Sequence, residues 1–219
     1  MSRKRKIYAV HDCAGRAGYV FCDDWERARA KIAQIQQQSG VGPRFKKFQT
    51  MEDAEYFAQR GRLRNDDRDN VIYTDGSALV DAKSGKKRAG IGVYFGRGSP
   101  LNLAEAFLKP PLTNNRAELY AIHRAIEVAE ENYPANSELV ILTDSSYARD
   151  ALGKWRELWE QSNFRDNSIA NRDLIEPLWE RMDQSAIKWT LEWVSGHSGV
   201  QGNEEADRLA NVGAGFSVV

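Results

Sequence analysis

The sequence predicts an α/β protein in two parts: a small ββαβα unit, then a larger domain whose five strands form one mixed sheet flanked by helices. Three observations predict it. The run Gly61-Arg-Leu-Arg-Asn-Asp-Asp-Arg-Asp-Asn70 holds a single apolar residue and separates two apolar-patterned regions, as a linker does. Beyond it, three consecutive β-rich segments joined by Gly- and Lys-rich turns suggest an antiparallel meander. The remainder alternates helix and strand, and antiparallel strands followed by β-α alternation imply one mixed sheet with helices packed on it.

In the front part, residues 6–10 and 18–22 read as short strands. Asp24 can cap a helix over 25–38, Arg44-Phe-Lys-Lys-Phe48 reads as a third strand, and Thr50 can cap a helix over 51–59. In the back part, residues 71–80, 88–95 and 103–108 read as the meander. A helix over 116–132 carries Leu119, Ile122, Ile126 and Ala129 at helical spacing. A strand over 139–143, helical segments within 145–161 and over 172–184, a strand over 187–194 and a helix over 201–212 complete the chain. The expected division is a module over 1–61, a linker over 62–70 and a domain over 71–219.

The apolar share of 42% and charged share of 28% are those of a soluble globular protein, with no run near the roughly 20 apolar residues a membrane span needs. The basic start, Met1-Ser-Arg-Lys-Arg-Lys, lacks the apolar core of a secretory signal. Two cysteines, Cys13 and Cys22, argue against a disulfide framework, although a pair bridging one hairpin stays open. A cytoplasmic protein is expected, and the Arg3–Lys6 run leaves a nuclear address open. The net charge of zero hides an asymmetry: residues 1–61 carry 12 Lys/Arg against 7 Asp/Glu, and residues 62–219 carry 19 against 24. A basic front suits phosphates. An acidic back must avoid them or hold cations between itself and them.

Four carboxylates stand out in that acidic part. Asp75 interrupts the apolar strand Val71-Ile-Tyr-Thr-Asp-Gly-Ser77, and Asp144 ends Leu139-Val-Ile-Leu-Thr-Asp144. A strand carboxylate is disfavoured unless paired, capping or metal-bound. Glu118 falls in the first turn of the helix over 116–132, and Asp207 lies within Gly202-Asn-Glu-Glu-Ala-Asp-Arg-Leu-Ala210. Singly, Asp144 could cap a helix, Glu118 could complement a helix dipole and Asp207 could line a solvated face. Together they form the oxygen-only donor set that Mg²⁺ takes, and zinc-spaced Cys/His clusters are absent. Two such ions about 3.5 to 4 Å apart clamp a phosphodiester in known two-metal sites.

The segments Tyr73-Thr-Asp-Gly-Ser77, Thr113-Asn-Asn-Arg-Ala-Glu-Leu119, Leu142-Thr-Asp-Ser-Ser-Tyr147 and Val194-Ser-Gly-His-Ser-Gly199, followed by Gly202 to Ala210, resemble in order and spacing the type 1 ribonuclease H family. The resemblance runs over residues 70–215. It implies the ribonuclease H-like fold and a two-metal endonuclease that cuts the RNA strand of RNA·DNA hybrids, leaving 5′-phosphate and 3′-hydroxyl. It assigns Asp75, Glu118, Asp144 and Asp207 to two Mg²⁺ ions, with Mn²⁺ as a substitute, and Asp75 as the bridge. His197 matches a mobile histidine that assists proton transfer or product release. Gly76, Ser77, Asn114 and Asn115 match the residues that sense the ribose 2′-OH, and Thr113 and Asn171 match a DNA phosphate pocket. Pro111 stands where relatives often carry Arg, with Lys109 the nearest cation, and the 160–170 segment is less basic than a Lys-rich protrusion.

Trp155 and Trp159, at i and i+4, share a helix face. The resemblance places them beside the DNA strand; two core tryptophans are the other reading. Tyr8-Ala-Val10, Trp25 and Arg44-Phe-Lys-Lys-Phe48 resemble the small hybrid-binding domain at the front of some members, in which Trp25 would pack on a DNA sugar and Lys46 and Lys47 would take phosphates. The expected partner is thus an RNA·DNA hybrid, with no membrane and no obligatory protein partner, and a monomer suffices. Two other functions fit the same pattern: a hybrid-binding protein that does not cut, and a DNA nuclease of the same fold.

Overall fold

The computed structural model describes residues 6–12, 18–39, 42–48, 50–60, 70–81, 85–161, 170–196 and 198–215. The chain divides into two compact units, residues 1–66 with the segment 197–201, and residues 67–196 with 202–219.

The first unit runs β1 (Ile7–His11), β2 (Tyr19–Cys22), α1 (Trp25–Ser39), β3 (Arg44–Phe48) and α2 (Met51–Arg60). Its sheet has the order β2-β1-β3, antiparallel throughout. Both helices start where the sequence supplies a cap. Asp24 Oδ1 accepts from the Arg27 N–H at 2.9 Å, and Thr50 Oγ1 accepts from the Asp53 N–H at 3.3 Å. Alternation along β1 then sorts the core. Ile7 and Ala9 pack with Phe48, Ala54 and Phe57, while Val10 packs with Ala28 and Ile35 of α1, beside Tyr8.

The second unit runs β4 (Val71–Val80), β5 (Lys87–Tyr94), β6 (Leu103–Ala106), α3 (Asn114–Asn132), β7 (Glu138–Thr143), α4 (Ser146–Leu152), α5 (Lys154–Gln161), α6 (Arg172–Gln184), β8 (Lys188–Trp193) and α7 (Gln201–Gly213). One five-stranded sheet has the order β6-β5-β4-β7-β8. The first three strands are antiparallel, and β7 and β8 lie parallel to β4. This is the mixed sheet expected from the order of elements.

The two faces differ in chemistry. Ile72, Ile91, Val93 and Ile141 pack against Leu119, Ile122 and Ile126 of α3 and against Ile175, Leu178 and Trp179 of α6, and this is the main core. Each such aliphatic side chain contributes about 1.5 to 3 kcal/mol by leaving water. Because strand side chains alternate, Tyr73, Asp75 and Ser77 lie on the opposite face from Ile72. There α7 meets the backbone directly. A Cβ on Gly92 would stand 2.0 Å from the Ala206 carbonyl oxygen, and one on Gly90 would stand 2.1 Å from the Ala214 nitrogen.

Some boundaries differ from the sequence reading. The helix expected from 116 begins at Asn114, because Thr113 caps it by accepting from the Arg116 N–H. The 145–161 stretch is two helices, broken at Gly153. Asn70, at the end of the expected linker, donates from Nδ2 to the Glu138 carbonyl oxygen at 2.7 Å, and its own carbonyl accepts from the Val140 N–H. The rest of the linker, like Cys13 and His197, lies outside the described residues. Cys22 is an exposed free thiol. Among the described residues no helix is long and apolar enough to cross a membrane.

Candidate metal centre

Asp75, Glu118 and Asp144 each place a carboxylate oxygen within 4.8 Å of the others. Three local features bring them together. Gly76 has no side chain on the α3 side of the sheet, where a Cβ would lie 2.2 Å from the Glu118 nitrogen, so α3 closes onto β4 at that residue. Glu118 then sits beyond the first turn of α3, too deep for a helix-dipole role. Third, the cap of α4 is Ser145, whose Oγ accepts from the Ala148 N–H at 3.1 Å. Asp144 is therefore released from the capping role that its position suggests.

The site is negative, and two of its three carboxylates are buried. Asp75 is 7% exposed and Glu118 8%. Burial, then the charges of Asp144 and Asp207, push the Asp75 carboxyl up to about 8. Burial, then the charges of Asp75 and Asp144, hold Glu118 well above the usual carboxylate range. The Gly76 N–H donates toward both groups and offsets part of this. Glu118 shares a hydrogen bond with Asp75, while its Oε2 is buried without a hydrogen-bond partner. Among the described residues, no cation stands with the groups that shift either carboxyl. An oxygen-only donor set with an orphaned buried oxygen and uncompensated negative charge fits a hard divalent cation.

Asp207 stands outside the three-residue group, although its charge acts on Asp75. Asp75 is thus the carboxylate on which the other three all act. Sequence reasoning missed the residues that orient them. On α7, Asn203, Asp207 and Asn211 follow one another at intervals of four and share a face. Asn203 is buried and donates from Nδ2 to Asp144 Oδ2 at 3.1 Å. Asn211 donates from Nδ2 to Asp207 Oδ1 at 3.1 Å and accepts at Oδ1 from Ser77 Oγ at 2.8 Å. The spacing was a signal; the partners across the sheet were not readable.

Around this centre, Ser77 is buried, and Asn114 and Asn115 are exposed at the start of α3. Asn114 Oδ1 accepts from the Ala78 N–H at 2.6 Å, which ties α3 to β4. Asn171 has left-handed backbone (φ +63°) and donates from Nδ2 to Tyr147 Oη at 2.9 Å. A cation that the sequence pattern did not single out lies beside Asn171. Arg116, 4% exposed, donates to Asn171 Oδ1 at 3.4 Å and holds Asp173 through two 2.7 Å bonds. Lys109 instead lies over the Tyr120 ring.

Trp155 and Trp159 are half-buried against the main core, in a run of ring contacts from Tyr147 to Trp179 at 5.6 to 5.7 Å. A recess of about 570 Å³ lined by His123, Tyr133, Pro177 and Arg181 shares no residue with the carboxylates.

In the first unit, Trp25 is 38% exposed, with its ring 5.2 Å from Tyr8 and 6.0 Å from Phe45. The three rings line a concavity of about 330 Å³ together with Lys46 and Lys47. Register places Lys47 opposite Tyr8 and Lys46 opposite Ala9, so the two lysines leave β3 on opposite faces. Lys47 is the one on the aromatic side.

The sequence model of the RNase H family matches residues 67–215. Ribonuclease H of Schizosaccharomyces pombe is 37% identical over 147 residues, which are 66% of this chain and 52% of that protein. Human Ribonuclease H1 is 39% identical over 150 residues, 66% of this chain and 49% of that protein. The chain spans about half the length of these curated relatives. The protease–reverse transcriptase of Prototype Foamy Virus, 23% identical with a TM-score of 0.51, shares the fold over 74% of this chain and 23% of its own. With a family match over most of the chain, the five-stranded mixed sheet and the carboxylate group on β4, on α3 and just after β7, this chain belongs to the RNase H family.

Proposed function

We propose that this chain is an endonuclease that hydrolyses the RNA strand of RNA·DNA hybrids with two Mg²⁺ ions, leaving 5′-phosphate and 3′-hydroxyl ends. The observation that carries the reading is the convergence of Asp75, Glu118 and Asp144, the first two buried, with no cation among the described residues acting on Asp75 or Glu118. Divalent cations bound there supply neutralisation of the phosphodiester and activation of the attacking water.

The chain's own residues do the remaining work. Glu118 and Asp144 would hold one ion with Asp75, and Asp207 would hold the second with Asp75, which fits the action of all three on Asp75. Ser77 donates its only hydrogen to Asn211, so its lone pairs remain to accept from a ribose 2′-OH. Thr113 and Asn171, backed by buried Arg116, take a phosphate of the DNA strand. His197 moves a proton or helps product leave. In the first unit, the Tyr8–Trp25–Phe45 rings pack on sugar and Lys47, on the same face, takes a phosphate, a hybrid-binding role supported by the concavity that these residues line.

The test is a gel assay with labelled hybrid, double-stranded RNA, double-stranded DNA and single strands, each with Mg²⁺ and with EDTA. Cleavage of the RNA strand of the hybrid alone, lost in EDTA and in Asp75→Asn, is expected. Binding without cleavage, or cutting of double-stranded DNA, would replace the reading with one of the two other functions.

A further inference from the structure

Asn211 occupies a position to which neither the family match nor the carboxylate pattern gives a role. Its amide is fully engaged. Nδ2 donates to the Asp207 main-chain oxygen at 2.9 Å and to Asp207 Oδ1 at 3.1 Å, while Oδ1 accepts from Ser77 Oγ at 2.8 Å. The first of these is a contact within α7; the other two cross to a carboxylate and to β4. Ser77 is buried on β4, two residues from Asp75 and on the same face, and Gly90 opposite it lets α7 lie against the sheet.

We propose that Asn211 is the positioning residue of Asp207: it fixes one carboxylate oxygen of Asp207 through an amide whose other end is anchored by Ser77, and leaves the second oxygen for a cation. The inference rests on the metal-centre reading above. Its physical logic is that a carboxylate on a half-buried helix face has free torsions that a ligand must freeze, and a fixed donor freezes them before the cation arrives. The donor must be neutral. A Lys or Arg at 211 would form an ion pair with Asp207 and compete with the cation for the same charge, whereas an amide leaves the full negative charge in place. The donors also run in one direction, Ser77 to Asn211 to Asp207, so each bond polarises the next. A hydroxyl donating to Ser77 would extend that series, which links the sugar-sensing residue to the metal ligand.

The experiment is calorimetric titration of the free protein, residues 1–219, with Mn²⁺, without nucleic acid. It compares wild type, Asn211→Leu, Ser77→Ala, the double variant and Asp75→Asn, with folding checked by circular dichroism in EDTA. Asn211→Leu keeps the volume and removes the amide. It should weaken the ion site that includes Asp207 by about 10- to 100-fold and leave the other site near wild type. Ser77→Ala should weaken the same site several-fold and add nothing in the Asn211→Leu background, because its effect passes through the amide. Wild-type affinity at both sites in Asn211→Leu, or losses that add in full in the double variant, would overturn the proposal. Should Asn211→Leu fail to fold, the Ser77→Ala titration decides alone, with unchanged Mn²⁺ affinity counting against the proposal. Loss in Asp75→Asn with none in Asn211→Leu would reject Asn211 and keep the metal centre; unchanged binding in Asp75→Asn would reject the metal centre itself.

Discussion

Asp75 on β4 faces Gly92 on β5 across the antiparallel ladder, and at Gly92 a Cβ would stand 2.0 Å from the Ala206 carbonyl oxygen of α7. The residue beside the central carboxylate is thus, with Gly90, one of those that set how closely the helix carrying Asp207 approaches. Gly92→Ala should push α7 away and cost about 1 to 3 kcal/mol of stability, as overpacking does. Urea unfolding measures the stability cost, and the Mg²⁺ concentration for half-maximal cleavage, which should rise, reads the displacement of α7. A variant as stable as wild type, with an unchanged Mg²⁺ requirement, would show that α7 has slack the packing does not suggest.

Asp75 interacts with each of the other three carboxylates, so its loss should be the most damaging. Asp75→Asn keeps the size of the side chain and should reduce Mg²⁺-dependent cleavage of a hybrid by more than about 100-fold, beyond what a supporting residue costs. Steady-state assays over a range of Mg²⁺ would reveal whether added metal restores rate; full recovery would contradict the bridging role.

Stability should depend on pH in a direction fixed by the same group. Asp75 has its carboxyl raised from 3.8 to about 8 in the metal-free fold. Between those values the unfolded chain releases the proton while the folded protein keeps it, so folding stability falls as pH rises through this window and levels off above it. Glu118 is raised and adds the same sign. A divalent cation removes the penalty by pairing with the charged forms. Thermal melts in EDTA should therefore decline from pH 5 to pH 8, with a larger Mg²⁺ shift at pH 8 than at pH 5. Asp75→Asn should flatten both trends; an identical pH profile in that variant would assign the dependence to other groups.

Trp155 packs against the main core between Tyr147 and Trp159. That contact set favours a larger stability role than the sequence suggested. Trp155→Ala should cost up to about 3 kcal/mol, below the range for a fully buried tryptophan. Trp155→Phe should restore most of it. If the indole also reaches the DNA strand, the Phe variant will melt near wild type and still turn over more slowly; equal turnover would leave Trp155 a packing residue alone.

In the first unit, Trp25→Ala and Lys47→Ala separate stacking from charge. The tryptophan change should weaken hybrid binding by about 1 to 3 kcal/mol, the usual value of one aromatic platform. The lysine change should lower the slope of log affinity against log salt by about 0.9. Filter binding at several salt concentrations reads both, and an unaltered slope in Lys47→Ala would remove that lysine from the phosphate contacts.

Much of this architecture is written locally. The strands over 44–48 and 71–80 and the helix over 172–184 fall where alternation and helical spacing put them. The start of α3 does not, because a threonine cap two residues earlier outweighs the apolar period that marks the helix. Asp75, Glu118 and Asp144 were legible as carboxylates without a local role, and the fold brings them together. What the sequence hid is pairwise and distant. Arg116 with Asp173, Asn203 with Asp144 and Asn211 with Ser77 are separated by 57, 59 and 134 residues. Nothing in either partner's own segment announces the other. The opposed faces of Lys46 and Lys47 follow from register, which a strand pattern alone leaves open.

The most direct measurement is the anomalous difference map of a crystal soaked in Mn²⁺. The expected map has one peak touching Asp75, Glu118 and Asp144 and a second touching Asp75 and Asp207. A map with no peak at these oxygens, or with manganese only at unrelated surface carboxylates, would contradict the reading of this centre as a divalent-cation site.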